Sequence, residues 1–381
     1  MRIRQNHWRI ETLGKRIIIA GGGTGGHIFP ALAIAHALKS IDPETVLLFV
    51  GAKGKMEMQK VPEAGFEIEG IDIAGFNRSS LIKNIELPFK LIKSFFQVKT
   101  IVNRFRPDGV VGVGGYSSFP VLRYAESRNI PCFIHESNSF AGRSNMLLAK
   151  KARKIFVATT GMEKFFPQEK IMVTGNPVRK SIVQNRLTKS EALKFFGLSE
   201  DKTTLLVIGG SLGSKTINEA INAGVSTLMK NGLQVIWQTG RGNATKAAER
   251  AAEFKGVWAN EFIQQMDYAF AAADIVVSRA GAMTISELCV VGKPAIFIPY
   301  PFAAEDHQTA NAKYLVDKQA GILVRDDEAN SKLVTAILDL LNDKGKREKM
   351  QSNISKLGIT NADERIAGEI LQTIGQAQKA G

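Results

Sequence analysis

Four stretches of this chain set side chains able to do chemistry beside glycines that let the backbone approach a charged ligand. "IIIAGGGTGGHIFPALAIAHAL" (17–38) runs from apolar residues into Gly21–Gly23, then Thr24, Gly25, Gly26 and His27 at the mouth of a helical pattern. "GVVGVGGYSSFP" (109–120) repeats the design with Gly114, Gly115, Tyr116 and Ser117. "TLLVIGGSLGSKTIN" (204–218) carries Ser211, and "DIVVSRAGAMTISE" (274–287) carries Ala282 through Glu287. Glycine permits close approach to a phosphate, and the helix that follows offers unpaired N–H groups and a positive dipole end. The chemistry this spacing suits is the holding of an anion. The plainer reading is four tight strand-to-helix turns.

His27 falls at a helix N-terminus, where the positive dipole end disfavours imidazolium. A neutral imidazole there can take a proton from an attacking hydroxyl, or it can simply bond a loop carbonyl. His135 and Glu136, ending the strand in "CFIHESN", are the rival base candidates, and His36 reads as structural. Glu287 sits in the first turns of a helix. Its carboxylate can accept both hydroxyls of a ribose, or serve only to suit a helix N-terminus.

Two familiar phosphate sites fail on mechanism. Gly21, Gly23 and Gly26 spell G-x-G-x-x-G, but a dinucleotide site also needs an acid about 20 residues on for the ribose. The second strand, "TVLLFVGAKGK", ends in Gly51, Ala52 and Lys53 instead. "GGSLGSKT" approaches a Walker A loop but has Ser214 in place of the second glycine, which argues against an ATPase.

These loops must be positioned by parallel sheets. Short β-branched runs alternate with helical patterns, with "TVLLFVG", "PCFIHES", "KIFVAT", "QVIWQTG" and "PAIFIPY" between the glycine loops. That order indicates βαβ units. At 381 residues the chain exceeds a usual single core, so two domains are expected. "IMVTGNPVRKSI" supplies turn residues for a linker near 176–180. The expected architecture is two doubly wound, Rossmann-like domains facing across a cleft: 1–178, with 1–14 a short extension, and 179–360, followed by a helix over 361–381.

With 44% hydrophobic and 23% charged residues, the composition is that of a soluble globular protein. Two cysteines without a C-x-x-C speak against a metal or disulfide framework. The basic character is lopsided: residues 1–180 hold 27 Lys+Arg against 14 Asp+Glu, and the remainder 23 against 22. An anionic membrane and nucleic acid both suit that half, but no RNA-binding aromatic signature accompanies it. "LPFKLIKSFFQVKTIVNRF" (87–105) aligns Lys90, Lys93, Gln97, Thr100 and Arg104 on one stripe beside a broad apolar face. With Ile82, Lys83, Ile85 and Phe89 it fits an interfacial membrane contact, with Phe95 and Val98 toward the core. An ordinary buried helix with a lysine edge is the alternative.

In order, "GGGTGGHIFPALAIA", "GVGGYSSFP", "HESNSFAG", "GNPVR", "GGSLGS", "EFI" and "SRAGAMTISE…GKPAIFIPYPFAAEDHQTANA" resemble the motifs of the MurG family of peptidoglycan synthesis. The likeness runs from about residue 15 to past residue 365. It implies an α/β GT-B fold, with the final helix returning to the N-terminal domain. It also implies inverting transfer of N-acetylglucosamine from UDP-N-acetylglucosamine to undecaprenyl-pyrophosphoryl-muramoyl-pentapeptide, giving a β-1,4 linkage. The donor contacts implied are Thr24, Gly25, Gly26, Asn138, Arg179, Ser211, Ile263, Ala282, Met283, Thr284, Ile285, Ser286, Glu287 and Gln308. Leu212 departs from the family, where Gln is frequent, and "AAEDHQTANA" looks a residue shorter than in some members. The loop Gly114, Gly115, Tyr116 and Ser117 could receive the acceptor pyrophosphate. No Asp-x-Asp pair stands near a strand end, so no metal or cofactor is expected. The family acts at the cytoplasmic face of the plasma membrane. Two rivals remain: a UDP-N-acetylglucosamine 2-epimerase of the same fold, and a basic membrane-binding module.

Overall fold

The computed structural model describes residues 14–75, 87–210 and 212–380. It resolves into two compact units. The first comprises residues up to Ser137, Ala141–Thr174 and the C-terminal stretch from Asn361; the second comprises Asn138–Phe140 and Gly175–Thr360.

In the first unit the chain runs β1 (Arg16–Ala20), α1 (Gly25–Ile41), β2 (Val46–Ala52), α2 (Glu57–Glu63), β3 (Ile68–Ile71), α3 (Leu87–Phe105), β4 (Gly109–Gly112), α4 (Ser118–Ser127), β5 (Cys132–Glu136), α5 (Arg143–Leu148), β6 (Lys154–Val157) and β7 (Ile171–Val173). All seven strands are parallel, in the order β3-β2-β1-β4-β5-β6-β7. β1 explains why the sequence folds this way. Helices cover both faces of a parallel sheet, so its strands read as continuous apolar runs. Ile17 and Ile19 pack into the cluster on one face and Ile18 and Ala20 into the cluster on the other.

In the second unit α6 (Lys180–Val183) and α7 (Lys189–Phe196) precede β8 (Thr203–Ile208), α8 (Lys215–Lys230), β9 (Leu233–Gln238), α9 (Ala244–Ala252), β10 (Val257–Asn260), α10 (Met266–Ala272), β11 (Ile275–Ser278), α11 (Ala282–Val291), β12 (Ala295–Phe297), α12 (His307–Val316), β13 (Ile322–Leu323), α13 (Ala329–Asn342) and α14 (Lys344–Ser355). Its parallel sheet runs β10-β9-β8-β11-β12-β13. Leu205 and Val207 face one core cluster, Leu206 and Ile208 the other.

The last helix, α15 (Ala362–Ala380), belongs to the first unit and packs along α1. Ile366, Ala367, Ile370 and Ile374 enter the same cluster as Ala31, Ile34, Ala35 and Leu38 of α1.

Both sheets reverse direction of growth at their first strand, between β1 and β4 and between β8 and β11. Open α/β sheets bind ligands at such switch points, outside the carboxyl ends of the strands. All four glycine loops sit at these two places. No helix among the described residues is long and apolar enough to cross a membrane.

Candidate active site

At the first switch point the loops after β1 and β4 are interlocked. The Gly22 N–H donates to the Gly114 carbonyl at 3.2 Å. Gly115, at φ +85°, passes so close that a Cβ there would lie 2.3 Å from the Gly22 oxygen. The N–H groups of Gly21, Gly22 and Gly23 are all taken, by Val50 O, Gly114 O and the Glu57 carboxylate. Thr24, Gly25 and Gly26 instead open α1, and their N–H groups make no hydrogen bond among the described residues. The glycine-rich letters therefore build the turn, and the helix mouth behind them presents the donors.

His27 lies in the first turn of α1, half-buried. Its Nδ1 is 3.1 Å from the Gly22 carbonyl and 3.4 Å from the Thr24 hydroxyl. A carbonyl only accepts, so this bond places the proton on Nδ1 and makes Nε2 the basic nitrogen. The bond to a loop carbonyl is therefore present, and it sets the tautomer that a base would require. Gly114 gives the ring room, since a Cβ there would come within 2.8 Å of Nε2.

The rival candidates sit differently. His135 is fully buried at the end of β5. Glu136 is buried too, and its Oε2 accepts the Gly142 N–H at 3.0 Å and the Asn145 amide at 2.8 Å, holding the turn into α5. His36 packs edge-on against Phe66. In the β4 loop, Tyr116 is half exposed against Gly75, while the Ser117 hydroxyl is buried without a hydrogen-bond partner among the described residues, at the mouth of α4.

In the second unit the loop after β8 is held by Gln238, whose amide donates to the Gly210 carbonyl at 3.0 Å and whose oxygen accepts the Ile263 N–H at 3.0 Å. Ile263 is buried, and its N–H is engaged by Gln238. Ser211 lies outside the described residues. Leu212 is 84% exposed, so its side chain carries none of the loop's internal support. Ser214, the residue that broke the Walker pattern, caps α8 by accepting the Ile217 N–H.

α11 begins at Ala282, after the N-cap Gly281, with no acidic residue in its first turn. The N–H groups of Ala282, Met283 and Thr284 have no backbone partner among the described residues, which leaves a positive helix mouth suited to a diphosphate. Ile285, the first residue to close the helical ladder, bonds back to Gly281. Ser286 accepts from the Asn176 amide at 3.0 Å and donates to the Ala282 carbonyl.

Glu287 follows, buried, with its Oε1 accepting from the Arg179 Nε at 2.8 Å. Burial pushes its carboxyl above the ordinary 4.5, and the Arg179 guanidinium pulls the other way without prevailing. Gln308, on the first turn of α12, accepts the Tyr300 N–H at 2.9 Å. Asn138 accepts from Asn311, which also accepts the Ser139 N–H at 2.7 Å and donates to the Ala280 carbonyl. A single buried amide thereby links the Asn138 segment to the turn before Gly281.

Residue-type reasoning missed Glu57, Gln238, Asn311 and the Arg279–Asp326 pair. Arg279 bonds Asp326 and the carbonyls of Ile298 and Pro299, and Thr216 holds the other Asp326 oxygen at 3.1 Å. That cluster braces the loops after β8, β11 and β12.

The apolar face of α3 is presented outward. Phe89, Ile92 and Phe96 are 73, 57 and 67% exposed, while Ser94, Val98, Ile101, Val102 and Phe105 face the core. Phe95 is half-buried, Lys90 lies on the first turn, and Lys93 pairs with Asp72 at 3.1 Å. Ile82, Lys83 and Ile85 lie outside the described residues.

Two Rossmann-like units, each with glycine loops opening helices at its switch point, define the class of two-domain, doubly wound α/β proteins. The chain belongs to glycosyltransferase family 28: the model of that family's N-terminal domain matches residues 17–157 and the model of its C-terminal domain residues 204–366. It is 48% identical over 361 residues to the UDP-N-acetylglucosamine--N-acetylmuramyl-(pentapeptide) pyrophosphoryl-undecaprenol N-acetylglucosamine transferase of Parabacteroides distasonis, covering 94% of this chain and 98% of the relative. The enzyme of the same name from Flavobacterium psychrophilum is 46% identical, covering 96% of this chain and 99% of the relative. Among solved structures, MurG of Acinetobacter baumannii superposes with a TM-score of 0.78 at 27% identity, covering 94% of this chain and 99% of that one. A solved UDP-N-acetylglucosamine 2-epimerase matches at TM-score 0.64 and 16% identity, covering 95 and 96% of the two chains, a likeness of fold alone. The chain is a glycosyltransferase, and nothing favours the epimerase reading.

Proposed function

We propose that this chain transfers N-acetylglucosamine from UDP-N-acetylglucosamine to the 4-hydroxyl of the muramoyl sugar of undecaprenyl-pyrophosphoryl-muramoyl-pentapeptide. The observation that carries this is the near-complete alignment, at 48% identity, with a relative named for that transfer. The site chemistry agrees with it.

In this reading Glu287 accepts the ribose hydroxyls of the donor. The N–H groups of Ala282, Met283 and Thr284, with Ser211, face the diphosphate. Asn138, Ile263 and Gln308 complete its contacts, and the mouth of α1 at Thr24–Gly26 adds N–H donors. The acceptor hydroxyl attacks the anomeric carbon as its proton passes to Nε2 of His27, and the bond to UDP breaks with inversion. Negative charge grows on the departing diphosphate. N–H groups already aimed at it lower that barrier without a divalent ion. The loop Gly114–Ser117 takes the acceptor pyrophosphate.

The same reading places the enzyme peripherally on the cytoplasmic face of the inner membrane. The outward Phe89, Ile92 and Phe96 supply apolar insertion, and the lysines around them attract anionic lipid.

The test is a transfer assay with labelled UDP-N-acetylglucosamine and a lipid-linked muramoyl acceptor, with and without chelator. Acceptor-dependent formation of the disaccharide lipid, undiminished by chelator, is expected. Conversion of the donor to UDP-N-acetylmannosamine without acceptor would overturn the reading, and a chelator-sensitive rate would overturn its metal-free step.

A further inference from the structure

We infer that Glu57 is a positioning residue for His27 and acts on it through a single peptide unit. This rests on the reading of His27 as the base.

Glu57 opens α2 and is 1% exposed. Its Oε2 accepts the Gly23 N–H at 2.8 Å and its Oε1 the Ala52 N–H at 3.0 Å. The backbone is threaded around the carboxylate: a Cβ on Gly22 would lie 2.3 Å from its Cδ, and one on Gly51 2.4 Å from its Cγ.

The Gly23 N–H and the Gly22 carbonyl belong to the same peptide. That unit is planar and trans, so its N–H and C=O point in opposite directions. Glu57 holds the N–H side, while the carbonyl side receives Nδ1 of His27 at 3.1 Å. Gly22 and Gly23 stand at φ +146° and +87°, and neither has a side chain to resist rotation of the peptide between them. A flip would turn the carbonyl away from His27 and offer the ring an N–H in its place. That would select the opposite tautomer, with the proton on Nε2 and no base toward the substrate.

The carboxylate excludes the flip, because a flipped unit would set the Gly22 carbonyl against a buried anion. It also polarises the amide, so the carbonyl is a stronger acceptor for the Nδ1 proton and a better partner for imidazolium as proton transfer proceeds. The carboxylate does for this imidazole what a directly bonded aspartate does in a catalytic triad, one peptide removed.

The test combines 15N spectra of histidine-labelled protein with steady-state kinetics on Glu57→Gln, Glu57→Asp and His27→Ala. In the wild type, neutral His27 is expected as the Nδ1–H tautomer. The Nε2–H form there would overturn the inference without any variant, which keeps it testable if Glu57→Gln folds poorly. Glu57→Gln should lose that tautomer preference and lower kcat on the order of tenfold, with KM for UDP-N-acetylglucosamine within about twofold. Glu57→Asp, which keeps the charge, should recover part of both. A fall in Tm with tautomer and kcat unchanged would reduce Glu57 to scaffold and overturn the inference. Near-wild-type turnover by His27→Ala would overturn the base reading instead, and the tautomer shift in Glu57→Gln would still report the coupling.

Discussion

Arg179 donates its Nε–H to Glu287 at 2.8 Å, yet the Glu287 carboxyl stands above its ordinary range because burial strips it of water. The arginine side chain is 45% exposed against 9% for the glutamate, so the cation is partly screened by solvent while the anion is not. A carboxyl raised in the folded state favours folding below the unfolded value near 4.5, and that contribution is lost as pH rises through the folded value. In the proposed reading, donor binding needs the carboxylate form. UDP-N-acetylglucosamine affinity should therefore fall as pH drops through the raised value. In Arg179→Ala that fall should begin at higher pH, because the opposing pull is gone. Calorimetric titration across pH checks this; affinity that stays flat down to the ordinary carboxylate range contradicts it.

Glu287→Gln should separate binding from stability. The substitution removes a desolvated charge and leaves Arg179 able to turn to solvent, so the unliganded Tm should hold or rise. Donor affinity should drop about 10- to 100-fold, the cost of losing hydrogen bonds to a charged acceptor. At donor 100 times its Kd the wild type should gain about 2.7 kcal/mol, and at the same concentration the variant should keep only about 1.4 kcal/mol for a tenfold loss of affinity and about 0.4 for a 100-fold loss. A Tm loss with unchanged donor protection would contradict the assignment.

Gly213 should tolerate no side chain. Its φ is +79°, and a Cβ would lie 2.2 Å from the Thr239 carbonyl oxygen, a backbone atom that cannot swing aside. The left-handed conformation alone costs a non-glycine residue about 1–2 kcal/mol, and relief of the overlap must displace the loop after β8. Gly213→Ala should lose at least that much stability in urea unfolding, together with donor protection. Gly197, also left-handed but with open space around its Cβ position, is the control expected to lose stability and keep donor binding.

The outward face of α3 should bind lipid without supporting the fold. Phe89→Ser with Phe96→Ser should weaken sedimentation with anionic vesicles on the order of tenfold, since each lost aromatic removes apolar area from the interface. Tm should move little, because both rings are already mostly exposed. Binding by the wild type should weaken with salt, as attraction of lysines to anionic lipid requires. Equal binding by the double variant would show that another surface carries the contact.

Much of the protein was legible before folding. Parallel strands buried on both faces are continuous apolar runs, and four of them end in glycine loops that open a helix, so the sheets, these loops and the ligand edge are written in local order. The ordered loops also carried the family, the choice at His27 between a base and a loop-carbonyl partner, and the carboxylate at Glu287, because each lies within a few residues of the turn that presents it. What only tertiary structure decided is which loop donors are spent internally. Gly21, Gly22 and Gly23 look like a phosphate cradle in sequence, and their N–H groups are consumed by Val50, Gly114 and Glu57. Glu57 stands 34 residues from Gly23, and Thr216 stands 110 from Asp326. Hydrogen bonds across such separations leave no periodic trace in a single chain. They exist only once parallel strands bring distant loops to one edge, and there the buried polar groups must find partners.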